Sequence, residues 1–203
     1  MGSAKRTLGI LFGAFAGLGG IEHGYFEFLQ GSVRHADLIF PSMGPPCVPE
    51  SAWHGCEPAL SLIPNLLVSG VVSMVLGLAT LVWSIFFLRR QHGGLVLMLL
   101  SVALLLTGGG IVPPVIGFFG GIAAMRAAAP SRARRRKATG LRGVGAHLWP
   151  WSLIAFFAFI AGMVAVGYFQ NDTLKQYGLV VLVGLPLLML VALASAWARD
   201  RTR

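Results

Sequence analysis

Uninterrupted apolar runs recur along this chain, each long enough to cross a hydrocarbon core of roughly 30 Å as a helix. The runs are continuous rather than alternating, which excludes the dyad pattern of a β-barrel. In lipid that leaves the α-helix, which satisfies every backbone donor within its own segment. Only 11% of the residues are charged, against about 25% in water-soluble domains. The expectation is an all-α, polytopic transmembrane helical bundle, a single integral membrane domain covering residues 1–203. Four full spans are expected over about Thr7–Gln30, Pro64–Leu88, Trp149–Gln170 and Tyr177–Ala198.

Lys5 and Arg6 followed by Leu8–Ile21 imitate a secretory signal, with Ala14-Phe15-Ala16 as a cleavage site. The apolar run before that site is too short and continues past it, so an uncleaved first helix is expected.

The stretch Leu95–Met125 differs in kind. As one helix it would measure about 46 Å, far beyond the membrane core. Its middle carries Gly108, Gly109, Gly110, Pro113 and Pro114, residues that break a helix. Charge decides between one long helix and a hairpin. With the N-terminus inside and a hairpin at 95–125, every basic residue except Arg34 and Lys175 is cytoplasmic. A single crossing would leave only Lys5, Arg6, Arg89, Arg90 and Lys175 inside. The positive-inside rule selects the hairpin, giving six membrane segments in the cell membrane with both termini cytoplasmic. The arms are short, and they read either as two tilted short spans or as a re-entrant loop sheltered by protein. Trp83, Trp149, Trp151 and Trp197 then fall at inner helix ends, with Tyr25, Tyr168 and Tyr177 at outer ends, as amphipathic rings prefer.

This arrangement leaves an outer loop at 31–63 and a basic cytoplasmic loop at 126–148. Arg132, Arg134, Arg135, Arg136, Lys137 and Arg142 of the latter face lipid, and each adds about 1 kcal/mol of attraction to an anionic inner leaflet. The sequence pI of 10.8 is therefore read as bilayer binding and not as nucleic-acid binding.

Gly9, Gly13, Gly17, Gly20 and Gly24 share an arc of roughly 80° on the first helix. Ser69, Ser73, Gly77, Thr80 and Ser84 form a similar face on the second, and such faces let helix backbones approach closely. Near the outer end of the first helix lie Glu22, His23 and Glu27. His23 and Glu27 share a face, with Glu27 on the glycine arc and Glu22 nearly opposite. Ionisable groups inside spans mark ion or proton pathways, although an interfacial cluster wetted by headgroups gives the same pattern. Asn65, opening the second span, is read either as a partner for the Glu27 region or as a helix cap.

Cys47 and Cys56 are the only cysteines and both fall in the outer loop, where an oxidising exterior would pair them as a structural disulfide. Their spacing is not that of a redox pair. His35 and His54 share the loop and are read as solvated. No hydrolase elbow, zinc-protease, phosphate-loop or dinucleotide signature occurs, so no enzyme, cofactor or metal is expected.

Gly20-Ile21-Glu22-His23-Gly24, Glu57-Pro58-Ala59 through Asn65, His92 to Val96, Gly108 to Gly117 and Trp149-Pro150-Trp151-Ser152 together resemble a family of small, uncharacterised bacterial membrane proteins. The resemblance covers most of the chain apart from the basic loop and tail. It implies the same segment map and carries over no catalytic residue. The leading functional expectation is a small transporter or channel-like protein whose polar site meets the Gly108–Pro114 break. The alternatives are an accessory subunit or scaffold, self-associating or bound to a membrane complex, and a metal- or haem-binding membrane protein using His23.

Overall fold

The computed structural model of the chain describes residues 3–42, 57–128 and 141–202. Cys47, Cys56, His54 and the run Arg132–Lys137 lie outside the described residues. The fold is mostly helical: α1 Ala4–Leu29, α2 Leu66–Val82 continued by a π-helical turn Trp83–Phe87, α3 Gly93–Leu106, α4 Val112–Ala128, α5 Leu141–Leu148, α6 Trp151–Phe169, α7 Asn171–Gln176 and α8 Gly178–Thr202. A small antiparallel sheet joins β1 Ile39–Pro41 to β2 Pro58–Leu60. Among the described residues, two helices are long and apolar enough to cross a membrane, Leu66–Phe87 and Gly178–Thr202. They coincide with two of the four expected spans. In α1 the glycine face and two glutamates dilute the apolar content, and α6 is an apolar helix of 19 residues. Helix α5 falls in the segment read as a basic loop, and α7 in the turn read as an outer loop.

Burial on α2 runs opposite to that of a helix in water. After Leu66 in its first turn, its buried residues are small or polar (Ser69, Gly70, Ser73, Gly77, Thr80), and its large exposed ones are Val68, Val71, Val75, Leu78 and Val82. A soluble amphipathic helix buries its apolar stripe. An apolar exterior over a small, polar interior is compatible with a membrane protein.

The fold divides into two compact units, one of residues 3–8, 126–128 and 141–202, the other of 9–42 and 57–125. In the second, α1 is the central helix. A Cβ on Gly17 would lie 2.6 Å from the Gly77 carbonyl oxygen, and one on Gly70 would lie 2.6 Å from that of Gly24. The two small-residue faces therefore meet backbone to backbone, with α1 and α2 antiparallel. Gly9 faces the Gly120 carbonyl and Ala124 of α4, Gly19 faces Pro113, and Gly20 faces Leu104 of α3.

The expected break in the Leu95–Met125 stretch is present. Helix α3 ends at Thr107, Gly108 and Gly110 take positive φ of 102° and 78°, and α4 opens with Val112, Pro113 and Pro114. Prolines are tolerated in a first turn because the N–H they lack would have no helical partner there. The arms pack as a hairpin, Gly94 against the Gly121 carbonyl and Gly117 against Ser101. The broken backbone is not left bare. Gly108 N–H donates to the Leu60 carbonyl (2.9 Å), Leu62 N–H to that of Leu106 (2.9 Å), and the Ser73 hydroxyl to that of Thr107 (2.6 Å).

In the first unit α6 and α8 run antiparallel, joined by a buried Ser152–Ser195 hydroxyl contact of 2.6 Å and by Phe159 packed on Gly184. Asp200 near the end of α8 caps the start of α1. Its carboxylate accepts from the Ser3 hydroxyl and from the Ala4 (2.8 Å) and Lys5 (3.1 Å) N–H groups. These are donors that a helix start otherwise leaves unsatisfied.

The packing gives a test with an internal control. Gly77→Ala would force a methyl against the Gly17 carbonyl and the Ile21 N–H, both 2.7 Å away, and is expected to cost about 1–3 kcal/mol. Gly162→Ala in α6 meets nothing within 4 Å and should be neutral or stabilising by up to about 1 kcal/mol. Thermal unfolding of both variants in mild detergent checks the difference.

Candidate functional site

The end of α1 carries His23 and Glu27 inward, and both are buried, Glu27 fully. Glu27 Oε1 accepts from the Ser42 hydroxyl at 2.9 Å and Oε2 from the Ser69 hydroxyl at 2.6 Å. The short second contact is in the range of a charge-assisted O–H···O bond. The Ser69 oxygen also lies 3.2 Å from the Leu66 carbonyl, a second acceptor for its proton. Among the described residues, no Lys or Arg pairs with Glu27.

His23 connects this carboxylate to the loops. Its Nδ1 lies 3.2 Å from the Ser42 oxygen and its Nε2 3.8 Å from Glu57 Oε2. Because Ser42 spends its one proton on Glu27, it can only accept from His23, so Nδ1 carries a hydrogen. Glu57 is half-buried. Burial raises its carboxyl above the ordinary carboxylate range, and the carboxylate of Glu22 adds to the shift.

The broken hairpin closes the site. A Cβ on Gly108 would lie 2.4 Å from Glu27 Oε2, and one on Gly110 would lie 2.4 Å from His23 Nε2. Both glycines have positive φ, so backbone conformation and the approach of a polar side chain demand glycine at the same places. Gly109 packs on Leu104, and Pro113 on Gly19.

Of the residues singled out in the sequence, the structure thus brings together His23, Glu27, Gly108 and Gly110. Glu22 is exposed, on the side away from Glu27. Asn65 takes the second of its two readings. Its side chain caps α2 by accepting from the Val68 N–H (3.2 Å) and donates to Ser32 (3.0 Å), and it is not a partner of Glu27. It sits a full turn from Ser69, the α2 residue level with Glu27. His35 is not solvated as expected. Its ring nitrogens lie 2.7 Å from the Asp37 carbonyl and 2.8 Å from that of Ile63, and the ring stacks on Phe40 at 4.1 Å. Arg142 falls in α5.

Three site residues were not singled out. Ser69 was recognised only as part of a small face, but setting the two glycine faces antiparallel would have placed it opposite Glu27. Ser42 and Glu57 arrive together. The strand register pairs Pro41 with Pro58, and the next rung is the bond from the Ser42 N–H to the Glu57 carbonyl at 2.9 Å. No local signal marks either of them. Among the described residues, no group of three or more His, Cys, Asp or Glu side chains is placed to hold a metal ion. Compared with known families, curated proteins and solved structures, the chain shows no match.

Gly108→Ala is expected to cost about 1–3 kcal/mol from the left-handed backbone alone, plus the clash with Glu27. Only the clash should vanish in a Glu27→Ala background. A double-mutant cycle on thermal or denaturant stability should therefore give a coupling of about 1 kcal/mol. Strict additivity would mean that the turn and the carboxylate do not touch.

Proposed function

We propose that the chain is a multi-pass protein of the cell membrane that works as a small transporter or channel, exchanging an ion at Glu27. The observation carrying this reading is a fully buried carboxylate held by two serine hydroxyls against a glycine break between two helices. Broken helices facing a polar cluster are how transporters build ion sites. A carboxylate buried in apolar surroundings is costly unless it has such partners, and in membrane proteins it marks an ion path.

Several features support the six-segment topology. Apolar side chains on α2 and α8 point outward, as lipid contact requires. Helices α3 and α4 run beside α1 from the level of Gly9 to that of Gly20, which favours two short crossings over a shallow re-entrant loop. Asp200 capping α1 brings the chain ends together, in accord with both termini lying on one side. The basic segment Arg132–Lys137 sets that side as cytoplasmic by the positive-inside rule, with anionic inner-leaflet lipids as its partner.

Electrical recordings on proteoliposomes adsorbed to a solid support test the function without a known substrate. Jumps in pH, Na⁺ or K⁺ should evoke a current for at least one ion, and Glu27→Gln should abolish it. A wild-type protein silent to all three, or a Glu27→Gln variant with undiminished current, would overturn the proposal.

Sidedness is tested separately. With Cys47 and Cys56 replaced by Ser, a single cysteine introduced by Ser131→Cys is expected to be protected from an impermeant maleimide in intact cells and labelled after permeabilisation. Labelling of intact cells would reverse the topology.

A further inference from the structure

Four polar side chains line up from the loops to the buried carboxylate, and the inner three are joined by hydrogen bonds. Glu57 stands at the outer end, partly exposed, with Oε2 3.8 Å from His23 Nε2. The other ring nitrogen of His23 contacts Ser42 at 3.2 Å, and Ser42 contacts Glu27 at 2.9 Å. Each inner member is buried. Ser42 donates to Glu27 and accepts from His23, while the outer link from Glu57 to His23 is longer than a hydrogen bond and closes by a small approach of the partly exposed Glu57 side chain. No Lys or Arg among the described residues pairs with a member of the file. A Na⁺ or K⁺ ion needs several converging oxygen ligands, whereas the space facing the two carboxylate oxygens is taken by the Gly108 backbone.

We propose that the ion exchanged at Glu27 is a proton, delivered from the loop side through Glu57, His23 and Ser42. This rests on the reading of Glu27 as an ion site and names its ligand. The transfer balances without any co-reactant. The O–H bond of protonated Glu57 breaks as an N–H bond forms at Nε2 of His23. The Nδ1–H bond breaks, and its proton passes to the Ser42 oxygen. The original Ser42 proton passes to Glu27 Oε1. The net result is one proton moved from Glu57 to Glu27, with His23 changed from its Nδ1–H to its Nε2–H tautomer. Reverse transfer or a flip of the ring resets it. His23 thus works as the two-ended carrier that an imidazole allows.

Ser42 and Ser69 explain how Glu27 accommodates either state. When Glu27 is ionised, the Ser69 hydroxyl donates to Oε2. When Oε1 bears the delivered proton, it donates back to the Ser42 oxygen, whose own hydrogen now points to His23 Nδ1, and Ser69 continues to donate to Oε2. No buried polar atom is orphaned in either state. The titratable groups with electrostatic reach into the file are Glu22 beside Glu57 and His35 towards Glu27. Both flank it and neither interrupts it.

Infrared difference spectroscopy on the full chain in detergent, after a rapid pH jump, reads the loading of Glu27 directly. The carbonyl stretch of its protonated form is identified by its loss in Glu27→Gln. Ser42→Ala removes the bridging hydroxyl and should slow the appearance of that band by about 100-fold, the size expected for a positioned proton carrier. Ser42→Thr, which keeps a hydroxyl, should restore the rate. Glu57→Gln, at a partly exposed position, should slow loading while leaving thermal stability near wild type, which separates a relay defect from misfolding. Wild-type loading rates in both Ser42→Ala and Glu57→Gln would overturn the relay. Outcomes for the two readings are distinguishable. A relay intact by infrared with no current in proteoliposomes removes transport but not proton delivery. A current driven by Na⁺ or K⁺ with no titrating Glu27 band removes the proton and keeps the transporter.

Discussion

Where Gly17 and Gly24 of α1 meet Gly77 and Gly70 of α2, carbonyl oxygens of one helix occupy the space that a Cβ on the other would need. Between lipid-exposed helices there is no hydrophobic drive to associate, because the tails are as apolar as the side chains. Attraction must come from close packing and from polar contacts across the seam. Glycine maximises the first by removing everything between two backbones. Along α1 the same device serves α4 at Gly9 and Gly19 and α3 at Gly20, so a single helix is enclosed on several sides by neighbours at near-minimal distance. A methyl at Gly9, Gly17, Gly24, Gly70 or Gly77 meets a backbone carbonyl, which has no rotamer to relieve the strain, while at Gly19 and Gly20 it meets the side chains of Pro113 and Leu104.

Enclosure of α1 turns its polar end into a problem that the rest of the fold must solve. Glu27 continues the glycine face, so the geometry that seats the helix also takes the carboxylate out of water. A buried carboxyl without partners costs several kcal/mol. The seam supplies one partner from α2, Ser69, and the loop ladder supplies the other, Ser42. The remaining side is filled by the α3–α4 turn, where glycine at 108 and 110 lets the backbone lie directly against Glu27 and His23. The turn in turn depends on β2, because its exposed backbone is completed by Leu60 and Leu62. Site, hairpin and ladder therefore stand or fall together.

Much of this was legible in the sequence because it is written in helical periodicity. The helices α1, α2, α6 and α8, the break near Gly108 and the inward direction of Glu27 all follow from spacing at 3.6 residues per turn and from apolar length. The contribution of the outer loop was not legible. β1 and β2 are three residues each and contain prolines, so they lack the alternation that announces a strand. Their pairing joins residues far apart in sequence, and only that pairing delivers Ser42 and Glu57. Asn65 was ambiguous because capping and side-chain pairing use the same chemistry, and a displacement of one helical turn decides between them. His35 looked solvated because its partners are main-chain carbonyls, which leave no trace in residue type. Helix α5 was hidden by a basic segment whose charge pattern dominates its reading.

The two halves of the site differ in kind. Ser69 and the glycine cradle belong to helices locked by backbone contact. Ser69 has two acceptors in reach, Glu27 Oε2 and the Leu66 carbonyl, so its hydroxyl can turn without any heavy atom moving. Ser42 and Glu57 belong to a short ladder held by few bonds, with His35 fastening the adjacent strand to the start of α2 through the Ile63 carbonyl. Short ladders with few bonds and little buried apolar area open at low free energy, while packed helix cores do not. The loop half is therefore the part of the site with the lower free energy of local opening, and the glycine-packed helices the part with the higher.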